Sequence, residues 1–156
     1  MKKNTSVSVD QALYESVMAY KNPVLIAKYR KKYGVTTRTA QKHFQELKKF
    51  LLLTSVAKQS IAPSQKIDQV WHEFILFTKD YRQFCTTNFG KIIEHVPEIA
   101  TGKRQATKAI RRYLETLALA ASVYGKLDPE MWPDEKQLAS VCSVDDDACR
   151  DFFCND

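Results

Sequence analysis

Apolar residues recur along this chain at three- and four-residue intervals with polar residues between them, which is the period of amphipathic helices. Leu13, Val17 and Tyr20 mark a first stripe, with Ser8 before it as a cap. Asn22-Pro23 ends that helix and opens a second over residues 24–33, which Gly34 stops. Thr36 or Thr37 caps a third helix, from Arg38 to about Val56, with Ala40, Phe44, Leu47, Leu51 and Leu52 on its apolar face. Its opposite face carries Lys42, Gln45, Lys48 and Lys49. After a loop ending at Pro63-Ser64, the apolar positions Ile67, Val70, Trp71, Phe74, Ile75 and Phe77 stand almost all round the axis, which predicts a buried central helix. Thr78 breaks that helix and caps a shorter one to about Asn88, and residues 89–100 form a loop. Thr101 caps a long helix over 102–124 with the seam Ala106, Ile110, Tyr113, Leu117, Ala121 and Tyr124, and Gly125 stops it. Asp134 caps a last short helix to about Val141. The expected architecture is all-α: a single compact domain over residues 1–141, with six or seven helices around a buried central helix. Residues 142–156 form an acidic, cysteine-bearing tail.

Composition agrees. Four glycines and five prolines in 156 residues leave few turns, which favours long helices over a many-stranded sheet. A hydrophobic content of 44% is enough for one packed core. No apolar run approaches the roughly 18 residues of a membrane span. No apolar stretch follows the basic Met1-Lys2-Lys3, so a cytoplasmic location is expected, without membrane attachment. Cys85 stands alone and Cys142, Cys149 and Cys154 crowd the tail, a pattern that reads as reduced thiols rather than a disulfide framework.

Charge adds an asymmetry. Residues 1–65 carry twelve Lys and Arg against three acids, whereas residues 66–156 carry twelve against fifteen. A basic half can attract an acidic protein surface or nucleic acid; the plainer reading is a solvated face on basic helices. Residues 24–50 also trace helix, short turn, helix, the outline of a helix-turn-helix. Its second helix would offer Thr37, Arg38, Gln41, Lys42 and Gln45 to a groove, with Lys48 and Lys49 further along. The reading favoured by sequence is a small intracellular binding module whose basic half meets an acidic protein, with nucleic-acid binding as the alternative.

Candidate chemistry is confined to one neighbourhood. Asp68 and His72 lie one helical turn apart, so the carboxylate can orient the imidazole or join it on a metal. A break at Thr78 would fold Cys85 back toward His72, and the loop after Gly90 brings His95 within reach. Two imidazoles and a thiolate suit zinc. The alternative, a buried hydrogen-bonded polar cluster of Asp68, His72, Cys85 and His95, is the expectation, with no cofactor and with zinc as the competing reading. A Cys–His catalytic pair is a further alternative, although nothing flanking Cys85 resembles a nucleophile elbow.

From Gly34 to Pro97 the chain resembles the bacterial and plant glycine-rich domain-containing protein family. The resemblance rests on Ile67-Asp68, Val70-Trp71-His72, Phe74 to Tyr81, Phe84-Cys85, Phe89-Gly90 and His95-Val96-Pro97, within about 64 of the 156 residues. It implies an all-helical module. Many members have a second histidine where this chain has Phe74, and a glycine-rich tail where this chain is acidic. The trio His72, Cys85 and His95 is therefore the set to locate.

Overall fold

Five helices begin where a short polar side chain satisfies a free N–H group of the first turn. Asp10, Asn22, Thr36 and Ser64 accept from the backbone N–H of Leu13, Leu25, Thr39 and Ile67, three residues on in each case. Asp134 and Gln137 exchange side-chain and backbone hydrogen bonds at 2.9 Å in a reciprocal capping box. The computed structural model describes residues 7–96 and 103–142. Among them are seven α-helices and no strand: α1 (Gln11–Ala19), α2 (Pro23–Tyr33), α3 (Thr37–Leu53), α4 (Gln65–Ile75), α5 (Thr78–Phe89), α6 (Lys103–Tyr124) and α7 (Glu135–Cys142). They pack as one all-α domain. No helix among the described residues is long and apolar enough to cross a membrane. Residues 143–156, with Cys149, Cys154 and the run of aspartates, lie outside the described residues.

Three local expectations are corrected. Asp10 rather than Ser8 caps α1. Thr78 is the first residue of α5; the preceding Phe77 takes the cap position at φ −85°, ψ 64° without a side-chain bond, so a backbone bend makes the break. Ala121 is exposed, and the inner seam of α6 runs instead through Ala106, Ala109, Tyr113, Thr116 and Ala120.

The larger correction concerns the helix at the centre. It is α3, which packs against α1, α2, α4 and α6. The helix assigned that place from sequence, α4, buries Ile67, Val70, Trp71, Glu73 and Phe74 but leaves Lys66 exposed and Asp68, Gln69 and His72 partly exposed. Conversely α3 buries His43, Glu46 and Lys48 alongside Phe44, Leu47 and the run Phe50 to Leu53. These polar groups are tolerable inside because distant elements supply partners. Lys48 Nζ donates to the carbonyls of Met18 and Tyr20 at 2.7 and 2.8 Å, capping the negative end of α1. Burial pushes its pKa down to about 8, so it still carries its proton at neutral pH. Glu46 accepts from Trp132 Nε1 at 2.8 Å and from Lys49 at 2.8 Å. His43 meets the Tyr29 hydroxyl at 3.1 Å and Glu130 at 3.3 Å.

The charge asymmetry is in part an internal complementarity. Lys28 and Lys32 of the basic half flank Glu73 at 3.3 and 2.5 Å. Burial opposes ionisation of Glu73, but the two ammonium groups hold its carboxyl below the ordinary value. Lys42 pairs with Asp128 at 2.6 Å and Glu130 at 3.2 Å. Lys66, joined by Lys42, holds the Glu130 carboxyl down at about 2.

The Lys48→Met variant keeps the aliphatic stem and removes the donor. Two carbonyls at the end of α1 lose their partner, at about 1–3 kcal/mol each, partly offset by relief of a buried charge. We expect a net loss of about 2 kcal/mol in urea denaturation. A variant as stable as the parent would show that this contact does not anchor α1.

Candidate metal centre

Helix α4 leaves the core with its outer face carrying Asp68 and His72, four residues apart and therefore side by side. Helix α5 turns back and ends at Gly90, whose φ of +69° is the left-handed conformation that stops a helix. The chain then runs irregularly through 91–96 and lays His95 over α4.

That segment is pinned from below. The Tyr81 hydroxyl accepts from Trp71 Nε1 at 2.9 Å and donates to the Ile93 carbonyl at 2.5 Å, and all three groups are buried. Burial pushes the Tyr81 pKa up, so the phenol remains a neutral donor. The Trp71 ring meets the His95 ring edge-on, centroids 4.5 Å apart.

In the result one carboxylate stands between two imidazoles. His95 Nε2 donates to Asp68 Oδ1 at 2.5 Å, and His72 Nε2 lies 3.6 Å from Asp68 Oδ2. The two imidazole rings are 4.5 Å apart. One donor atom from each of the three residues falls within 4.8 Å of the others, close enough to hold one ion. The side chain of His72 is 38% exposed, that of Asp68 28% and that of His95 10%, so the cluster opens outward. Zinc bonds of about 2.0–2.1 Å in tetrahedral array put ligand atoms roughly 3.3 Å apart. The His72–Asp68 separation is already near that value. The His95–Asp68 pair is closer because a proton joins it directly; a cation would replace that proton and spread the pair by less than about 1 Å.

Cys85 does not join them. It lies in the core with no exposed surface, with Tyr81 and the Ile93 backbone as its neighbours. Burial pushes its thiol pKa up, whereas ligation and nucleophilic attack both need the thiolate. The bend between α4 and α5 does fold Cys85 back, but into the packing beneath the site. The role assigned to Asp68 also shifts, since its shorter partner is His95 rather than His72.

The basic residues do not form one outward face. Arg38 and Gln41 are exposed, Lys42 is tied to Asp128 and Glu130, and Gln45 is half-buried. Lys49 bonds Glu46 and lies 6.0 Å from the Tyr124 ring centre. Lys48 is fully buried and cannot meet a partner. The second helix of the helix-turn-helix outline is thus the core helix, and its exposed residues, Thr37, Arg38, Gln41 and Lys42, all lie within its first six positions. Spacing in the sequence gave no sign of the His43–Glu130 pair, 87 positions apart, or of Tyr81 as the anchor of Ile93.

Fold and site together describe an all-α domain carrying an outward-facing Asp–His–His cluster on one helix and the loop that crosses it. The chain belongs to the family described as UCP032817-like, which matches residues 14–131, about three quarters of its length, and takes in all three cluster residues. No curated protein matches it, and no solved structure does.

Tyr81→Phe leaves the Trp71 N–H and the Ile93 carbonyl without their shared partner. Each buried unpaired group costs about 1–3 kcal/mol, and residues 91–96 should exchange their amide hydrogens faster than in the parent. Unchanged exchange across this segment would mean that Tyr81 does not hold His95 in place.

Proposed function

We propose that the chain is a small metal-binding module whose ion sits among Asp68, His72 and His95. The observation that carries this reading is the convergence of two imidazole Nε2 atoms on the two oxygens of one carboxylate, at a place open to solvent. Two imidazoles and a carboxylate suit zinc or another borderline divalent ion. Hydrogen bonding alone explains the buried clusters at His43 and Lys48, where polar groups are enclosed and matched. Asp68 and His72 are partly exposed and need no such internal partner to remain solvated.

The narrower likeness to glycine-rich domain-containing proteins stays a part of the proposal: it covers the Trp71-His72 and His95-Val96 segments, which carry both imidazoles, and assigns them no role. A contact surface for an acidic partner protein belongs to the proposal in reduced form, limited to Arg30, Lys31 and Arg38 around the α2–α3 turn. These three are exposed and make no ion pair among the described residues. A cytoplasmic location fits the buried, reduced Cys85.

The test is zinc titration by calorimetry on protein first stripped with a chelator. One ion per chain is expected, with affinity falling by more than about 100-fold in His72→Ala and in His95→Ala, since even supporting residues around a metal cost 10–100-fold. Cys85→Ser should bind as the parent does. Zinc binding that survives both histidine substitutions, or none in the parent, would overturn the proposal.

A further inference from the structure

We propose that the ion at this site acts as a clasp on residues 91–96, so that its occupancy governs how often this segment lifts from the core and uncovers the Cys85 thiol. The inference rests on the metal reading above and adds what the ion does to the fold. Two of the three ligands, Asp68 and His72, belong to α4, and the third, His95, comes 27 positions after Asp68 on an irregular segment. An ion held by all three joins that segment to the helix. Along the segment burial alternates. Lys91, Ile92, Glu94 and Val96 are exposed, Ile93 is buried, and the His95 side chain is 10% exposed. Alternation of this kind belongs to an extended chain lying on a surface. The segment is therefore fastened at two places: Ile93, whose carbonyl accepts from Tyr81, and His95, which donates to Asp68 and packs against Trp71. Segments with so few buried contacts are the ones that open locally while the rest of a fold stays shut.

What lies beneath the segment gives its opening a chemical signature. Ile93 belongs to the core that includes Trp71, Tyr81, Phe84 and Cys85. The Cys85 thiol has no exposed surface, and the Ile93 backbone and the Tyr81 hydroxyl adjoin it. Both of these groups belong to the fastening at Ile93, so lifting the segment removes one side of the enclosure around the sulfur. Burial raises the thiol pKa, and alkylation needs the thiolate. A closed segment thus protects Cys85 both by blocking access and by keeping it protonated. An ion that meets three ligands in the closed form and two in the open form favours the closed form by the ratio of the two affinities. Without the ion the segment rests on its bonds to Tyr81 and Asp68 and on the packing of Ile93.

The experiment is alkylation of the full reduced chain by iodoacetamide, read at Cys85 by peptide mass spectrometry, with chelator-stripped protein and again with zinc. At about 100 times its calorimetric Kd, zinc favours a three-ligand closed form by up to about 100-fold, so Cys85 alkylation should slow by more than about tenfold. Residues 91–96 should gain amide protection in parallel. His72→Ala should lose the slowing. Tyr81→Phe keeps all three ligands; it should be alkylated faster than the parent without zinc and still be slowed by it. Urea well below the unfolding midpoint should leave the rate nearly flat, because lifting so short a segment exposes little new surface. Bound zinc that does not change the Cys85 rate, a thiol that stays unlabelled in the metal-free chain, or a rate that climbs with urea as steeply as global unfolding overturns the clasp and leaves the metal centre standing. No zinc bound by the parent overturns the metal centre itself, and the clasp with it.

Discussion

The enclosure of α3 is the constraint on which the rest of this structure depends. Beyond Lys42, α3 is surrounded by α1, α2, α4 and α6 and has no exposed position on which to leave its polar residues. Each polar group must find a partner from another element or cost the fold the free energy of an unpaired buried group. Lys48 answers the carbonyl end of α1, Glu46 answers Trp132, and His43 answers Tyr29 and Glu130. These pairings fix the position of α1 and of the loop after α6, and they join the basic first half of the chain to its acidic second half.

The enclosure of α3 also explains where chemistry can be placed. With α3 occupying the centre, α4 lies at the edge of the core and presents one face inward and one outward. Trp71 and Phe74 face in, while Asp68 and His72 lie toward solvent. The inward Trp71 then does two things for the outward pair. Its N–H engages Tyr81, which holds Ile93, and its ring flanks His95. The site is thus supported by the core beneath it without being enclosed by it.

Much of the architecture was legible in the sequence because it depends on local signals. Asn22-Pro23, Gly34, Thr36, Ser64, Gly125 and Asp134 act on the backbone within three or four residues, and they mark helix ends close to where the structure has them. The burial of α3 was not legible, since Lys48 reads as a surface lysine until the end of α1, some 30 residues away, is seen to lie on it. For the same reason the apolar pattern points to α4 as the centre: its apolar residues cover much of the axis, but Lys66, Gln69 and His72 remain on one side. At the site, the pairing of Asp68 with His72 follows from helical spacing, and the reach of His95 from the loop after Gly90. That Cys85 belongs to the packing beneath them depends on the angle between α4 and α5, which no spacing encodes.

The central claim is that His72 and His95 share the Asp68 carboxylate and would share an ion there, apart from the third histidine in the core. Two-bond proton–nitrogen NMR of the imidazoles reads this directly, because it reports which ring nitrogen carries the proton. In the metal-free chain His95 should hold its proton on Nε2, where Asp68 accepts it. One equivalent of zinc should leave His72 and His95 both protonated at Nδ1 alone, with the signals of His43 unchanged. Zinc that leaves His72 and His95 as they were, or that alters His43 instead, would contradict the account.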